Sequence, residues 1–165
     1  MQVTGYKIRE AIQHWELKKE ALQAEWGNSL SVYEDEDRRA PETIFEEIRQ
    51  AELAVARLQT VQTQFNLAVK VDILGESISL CETVKRVGGA GRLKNLWAGA
   101  TTPRRNFYGP EVRDPSMNYA EATVTPKEVM DQQAKAQKYT NALRTAISTA
   151  NAVTTNLDVD PKLFE

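Results

Sequence analysis

The residues best suited to chemistry form a basic segment in the middle of the chain. Residues 83–110 include no acid, and glycines stand at positions 88, 89 and 91 among the cations. Glycine-rich backbone can cradle a phosphate, and basic side chains close to aromatic ones suit single-stranded nucleic acid. The pattern therefore predicts contact with an anion or a nucleic acid. Its six basic residues are Lys85, Arg86, Arg92, Lys94, Arg104 and Arg105.

A second interpretation of this basic segment is structural. The sequence VGGAGRLK lacks the Gly-Lys-Ser/Thr step of a Walker loop and follows a helical pattern rather than a strand. The whole chain has a formal net charge of -2, which is unlike a dedicated nucleic-acid binder. We therefore favour a solvated basic face that pairs with the acidic loop, residues 34–37, of another subunit. Each glycine costs a helix about 1 kcal/mol relative to alanine, so at residues 88–91 we expect a kink, a very close backbone contact or a ligand loop.

Catalytic residues are few in this sequence. His14 is the only histidine and Cys81 the only cysteine, and the Glu-x-x-His pairs of di-iron bundles are missing. No base is evident near the thiol in the sequence, so a nucleophilic cysteine is not indicated. We predict a protein that is not an enzyme and that has no metal site and no cofactor.

Length and composition favour one helical domain covering residues 1–165. The chain is 27% charged and 41% hydrophobic, which is ordinary for a globular domain. No apolar run approaches the roughly 18 to 20 residues that span a bilayer, and the first ten residues carry charges where a signal peptide needs an apolar core. A lone cysteine fits a reducing compartment. We expect a cytoplasmic protein that does not bind membranes.

Heptad spacing organises the first half of the chain. Apolar residues spaced alternately by four and three predict long helices at about residues 4–26 and 41–71, and helices this long must lie against each other. Lys19 interrupts the first stripe and Gln62 the second, and such polar residues can fix register or oligomeric state. The alternative for Lys19 is that its ammonium reaches solvent while its stem packs. The second stripe consists of Ile44, Ile48, Ala51, Val55, Leu58, Gln62, Phe65 and Val69.

Two more helices are predicted after these. A capping box at Ser79 starts one at about residues 79–98, and Thr125, followed by proline and Glu128, starts the other at about residues 126–157. Between them, residues 104–124 have the composition of a β-hairpin. The acidic run at residues 34–37 is expected to be an exposed loop. The predicted fold is mainly α, an antiparallel bundle of four long helices with a short hairpin-like excursion before the last helix.

Taken in this order, the chain resembles the septicolysin-like family of small uncharacterised bacterial helical proteins. The resemblance rests on TVQTQFN at residues 60–66, on Gly75 followed by ISLCETV, on Ala-Thr-Val at residues 122–124, and on NAVTTNL at residues 151–157. It implies a helical fold along nearly the whole chain. Family members have a charged third helix without glycine, whereas residues 83–91 here are glycine-rich. The sequence has no apolar helix or hairpin that would insert into a membrane, so a lytic activity is not implied.

The function predicted from these features is that of a non-enzymatic, self-assembling structural or interaction module. Apolar seams would be completed by another copy of the chain, making a homo-oligomer, or by another protein. The residues expected at oligomer or register contacts are Lys19, Gln62, Phe65 and Asn66. The alternative function is binding of a nucleic acid or a phosphate ligand through residues 85–105.

Overall fold

The computed structural model describes residues 1–31, 39–100 and 124–164, and these residues are mainly helical, as predicted. The four long helices are α1 (Gly5–Ser29), α2 (Pro41–Ala68), α3 (Leu80–Ala100) and α4 (Pro126–Ala152). The short strands are β1 (Gln2–Val3), β2 (Lys70–Ile73), β3 (Glu76–Ser79) and β4 (Thr155–Asn156). A 3-10 helix, Pro161–Phe164, follows β4. The predicted acidic loop and nearly all of the predicted hairpin at residues 104–124 lie outside the described residues.

The helices begin close to where the sequence predicts. Thr125 and Glu128 form the predicted capping box, in which the Glu128 amide donates to Thr125 Oγ1 at 3.2 Å and the Thr125 amide donates to Glu128 Oε2 at 2.7 Å. Hydrogen bonds to the charged form lower the pKa of Glu128. Thr4 caps α1 in the same way by accepting from the Lys7 amide at 3.2 Å. Local cap chemistry therefore sets these starting points.

The ends of all four helices differ from the prediction, the third by only two residues, since it ends at Ala100 instead of residue 98. The first helix continues through Gly27 to Ser29 instead of ending at residue 26. The second and fourth helices stop at residues 68 and 152, short of the predicted 71 and 157. In both cases the next residue, Val69 or Val153, has extended backbone and leads into a strand. Val69 is still buried, which is why the heptad rhythm runs past the end of the helix.

A tight β-hairpin that the sequence analysis did not predict connects α2 to α3. β2 and β3 pair antiparallel, with Lys70 opposite Ser79 and Ile73 opposite Glu76. Leu74 and Gly75 form the turn and both have positive φ, 51° and 92°. Two consecutive residues with positive φ are what a type I′ hairpin turn requires, and such turns match the twist of the strands. The hairpin therefore redirects the chain between two helices without a long loop.

The helices pack chiefly as two pairs, α1 with α2 and α3 with α4. The predicted stripe of α2 is its buried face, because Ile44, Leu58 and Phe65 are fully buried. A second core cluster, between the β-hairpin and the α3/α4 pair, centres on Leu143. The larger cluster joins all four helices, and its buried members are Val3, Ile8, Ala11, Ile12, Ala54, Leu58, Val61, Phe65, Val69, Leu80, Ala150 and Leu163.

The pairs meet where the first and last described segments come together. β1 pairs with β4, and Met1 and Leu157 exchange two backbone hydrogen bonds of 2.7 and 2.9 Å. Trp15 Nε1 also donates to the Leu163 carbonyl at 2.9 Å. At this junction Gly5 of α1 faces Asn151 of α4, and a Cβ on Gly5 would lie 2.1 Å from Asn151 Oδ1 and 3.0 Å from the Phe65 ring. Only glycine allows the two helices to approach this closely.

The Gly5 contact gives a direct test of the junction. We expect Gly5→Ala to lower the free energy of unfolding by about 1–3 kcal/mol, because the new Cβ would overlap the Asn151 side chain and press on the fully buried Phe65 ring. The control is Gly27→Ala in the same helix, where no described atom lies within 4 Å of the new Cβ; it should raise stability by up to about 1 kcal/mol. Urea unfolding measures both. Equal stability of the Gly5 variant and the parent protein would contradict this packing.

Candidate functional site

Four of the six predicted basic residues lie on α3, and Arg104 and Arg105 lie outside the described residues. The expectation of a ligand loop at residues 88–91 is wrong, because α3 continues as one helix from Leu80 to Ala100, and the expected kink stays a prediction. The expected close backbone contact is also not found within the described part of the chain. A Cβ on Gly89 or Gly91 would meet no described atom within 4 Å. The glycines therefore lie in an intact helix with open space beside them.

Arg86 is engaged by two carboxylates of its own chain. Its Nη1 and Nη2 donate to the two oxygens of Glu76 at 2.6 and 2.8 Å, and its Nε donates to Glu82 at 2.9 Å. Hydrogen bonding to Glu76 first, and then to Tyr139 and Glu82, raises the pKa of Arg86, while Arg86 lowers the pKa of Glu76. A planar guanidinium held in this two-pronged way ties β3 to α3. Its donors are directed to these carboxylates rather than to an external phosphate.

The other three cations of α3 make no ion pair with any described residue. Lys85 and Arg92 are exposed and Lys94 is half-buried. Leu93 and Leu96 lie beside them with 56% and 70% of their surface exposed. We call the shallow, mainly apolar depression of about 650 Å³ at this place the α3 patch; its lining residues are Gly89, Arg92, Leu93, Asn95 and Leu96. This exposed apolar surface was not predicted from the sequence.

Charge is distributed unevenly between the two helix pairs. α3 and α4 together carry eight basic and three acidic side chains, a net charge of +5. α1 and α2 carry six basic and eight acidic side chains, a net charge of -2. At one end of the α1/α2 pair Arg39 contacts both Glu25 and Glu47, and Phe45 of α2 is 58% exposed. We call this end, which also includes Glu46, the acidic end. The α3/α4 pair thus has exposed apolar surface among mainly basic residues, and the α1/α2 pair has exposed apolar surface among mainly acidic ones.

Glu46 lies near the start of α2 and has a lowered pKa. Its carboxylate accepts from Arg49 Nε at 2.8 Å and from Gln50 Nε2 at 2.7 Å. Hydrogen bonding to Arg49 and then to Gln50 lowers the pKa of Glu46 to about 2. The carboxylate therefore remains charged throughout the physiological range.

The four predicted oligomer or register residues have different surroundings. Lys19 of α1 lies 3.3 Å from Glu52 of α2, so its ammonium reaches a carboxylate at the edge of the seam. Phe65 is fully buried in the core of its own chain, where it is not accessible to a second copy. Gln62 and Asn66 are half-buried and line a cleft of about 280 Å³.

All four helices contribute to this cleft, which we call the junction cleft. Its lining residues are Gly5, Tyr6, Arg9, Gln62, Asn66, Val84, Ile147 and Asn151. The sequence analysis singled out Gln62 and Asn66 because they interrupt an apolar stripe. It missed Arg9 and Asn151, since only the folded chain brings the beginning of α1 to the end of α4.

The residues considered for catalysis do not form a cluster. His14 is exposed and contacts Trp15 edge-on, with 6.0 Å between the ring centroids. Cys81 is half-buried near the start of α3. Among residues 1–31, 39–100 and 124–164, no three His, Cys, Asp or Glu side chains come together in a way that could hold a metal ion. None of the described helices combines the length and apolar composition needed to cross a membrane.

The observed class is a mainly helical protein in which two helix pairs are joined by a β-hairpin. Comparison with protein-family models, with curated proteins and with solved structures gave no match.

The Arg86 contacts predict that the parent protein and a variant without Arg86 differ in stability, and that this difference depends on pH. The pKa of Glu76 is lowered in the folded protein. The stabilisation from its ion pair with Arg86 is therefore present above the ordinary Glu pKa of about 4.3, and it is lost as the pH falls through the pKa of Glu76 in the folded protein. Arg86→Met should therefore melt at a lower temperature than the parent at pH 7, and the gap should close towards pH 3. The control Arg92→Met removes an arginine of the same helix that pairs with no described residue. If the melting temperature of Arg86→Met is as far below that of the parent at pH 3 as at pH 7, a stabilising ion pair between Arg86 and Glu76 is contradicted.

Proposed function

We propose that this chain is a non-enzymatic, self-assembling helical module, and that copies join through the α3 patch. The observation that carries the proposal is the exposure of Leu93 and Leu96 on a helix in which three of the four cations make no ion pair with a described residue. Burying a leucine side chain gains about 1.5–3 kcal/mol, so two adjacent exposed leucines favour association. The finer fold that we propose is a single antiparallel bundle, since Lys19 with Glu52 and Arg39 with Glu25 and Glu47 fit an antiparallel α1/α2 pair.

The partner that we propose for the α3 patch is the acidic end of the α1/α2 pair of a second copy. That end has the exposed ring of Phe45 and the charged carboxylate of Glu46. Opposite charges steer two surfaces together and select their orientation, while the apolar contact supplies most of the affinity. A contact between two different surfaces is heterologous, so it produces a closed ring or an open filament according to the rotation between copies.

A second candidate function is binding of nucleic acid or a phosphate ligand. It is favoured by Lys85, Arg92 and Lys94, which lie on one helix without a described carboxylate partner. Arg86 is less suited to this role because Glu76 and Glu82 engage its donors. The septicolysin-like resemblance and the cytoplasmic location stay predictions.

Replacement of the two leucines tests self-assembly. We expect the parent protein to associate at micromolar concentration in sedimentation velocity, and Leu93→Glu with Leu96→Glu to weaken association by at least about tenfold per leucine, since 1.4 kcal/mol corresponds to tenfold in affinity. Leu17→Glu is the control, because Leu17 of α1 is equally exposed at 66%. Added salt should also weaken the parent's association.

Three outcomes would count against self-assembly through the α3 patch. One is a parent protein that remains monomeric at every concentration, and another is an equal effect of the Leu17 control. The third is a mobility shift with single-stranded nucleic acid that falls steeply with salt while the protein stays monomeric. That last result would favour the second candidate function.

A further inference from the structure

We propose that the junction cleft binds a small organic carboxylate, with Arg9 pairing with the carboxylate group and the amides of Gln62 and Asn66 completing its hydrogen bonds. This binding site is separate from the α3 patch and does not depend on self-assembly. Three features of the cleft support such a ligand, namely its composition, its fixed walls and its volume.

The polar side chains of the cleft form a set of donors without a matching acid. Arg9 makes no ion pair with any described residue, and the side chains of Gln62 and Asn66 make no hydrogen bond with one. None of the lining residues is an aspartate or a glutamate. A guanidinium presents a planar fork that fits a carboxylate, and each carboxamide adds two N–H donors and one acceptor oxygen. The set therefore complements a negatively charged, oxygen-rich group.

The walls of the cleft are already fixed by hydrogen bonds of their own. The Tyr6 hydroxyl lies 3.1 Å from the Ser148 carbonyl oxygen and 3.0 Å from Ser148 Oγ. Asn151 Nδ2 donates to the Ile147 carbonyl at 2.9 Å. Gly5 packs against the Asn151 side chain, as described above. Groups held in this way lose little freedom when a ligand binds, which favours affinity.

Gln62 stands at a position of the α2 stripe where an apolar residue would stabilise the seam better. Six of the eight stripe positions are buried and apolar, while Gln62 is half-buried. The side-chain amides of Gln62 and of Asn66, one turn further along the helix, are open to solvent and are therefore accessible to a ligand in the cleft.

The volume of the cleft favours a small ligand. About 280 Å³ lies just below the range of roughly 300–1,000 Å³ that is usual for ligand pockets. That space suits an amino acid or a dicarboxylic acid. Val84 and Ile147 provide an apolar side of the cleft against which a short carbon chain can pack.

The test is a titration followed by ¹H–¹⁵N NMR at constant ionic strength, with glutamate, succinate, citrate and inorganic phosphate as separate probes. At least one carboxylate should shift the amide signals of residues lining the cleft, with saturation. Arg9→Met should weaken that binding at least tenfold. The matched control is Arg57→Met, because Arg57 is an exposed arginine of α2 that pairs with no described residue and does not line the cleft.

A second variant separates binding from stability. Gln62→Leu should raise or preserve the melting temperature, because it completes the apolar stripe, and yet weaken carboxylate binding at least tenfold. If Gln62 has a structural role instead, Gln62→Leu should lower both the melting temperature and the affinity for the carboxylate. The proposal is overturned if no carboxylate shifts the cleft signals, if phosphate alone does so, or if Arg9→Met and Arg57→Met bind equally well. None of these results depends on whether the protein self-associates, so the two proposals fail separately.

Discussion

The close approach of Gly5 to Asn151 and Phe65 is the contact on which the rest of the structure depends. It lets α1, α2 and α4 meet at one point, and the paired ends β1 and β4 lie directly beside it. The largest core cluster surrounds this contact and includes residues from all four helices. Because the helices converge here, the polar residues that border the core are brought together as a cleft.

Local signals in the sequence account for much of the helical framework. The capping box at Thr125 and the stripe centred on Leu58 depend on residues within a few positions of each other, so they could be predicted. The β2–β3 hairpin was missed because Leu74 has a positive φ, which is uncommon for a leucine. Pairing of β1 with β4 joins residues more than 150 positions apart, and no local pattern encodes it.

The two candidate sites were visible in the sequence to different degrees. The cations of α3 were evident, but the engagement of Arg86 by Glu76 was not, since the hairpin turn brings Glu76 back beside the helix. Gln62 was noticed because it interrupts an apolar stripe, whereas Arg9 has no local signal and is placed by tertiary packing. The glycines of α3 were expected to break the helix. They do not, because α4 packs on another face of α3 and buries Ala90 with Leu143.

Exposed apolar surface within a basic helix is the central feature of the functional proposal, and hydrogen exchange tests it most directly. Amide exchange would be followed by mass spectrometry at protein concentrations below and within the micromolar range. The account predicts that amides of residues 89–100 exchange more slowly as concentration rises, while those around Leu17 do not change. If amide exchange in residues 89–100 and in all other segments is independent of concentration, assembly through the α3 patch is contradicted.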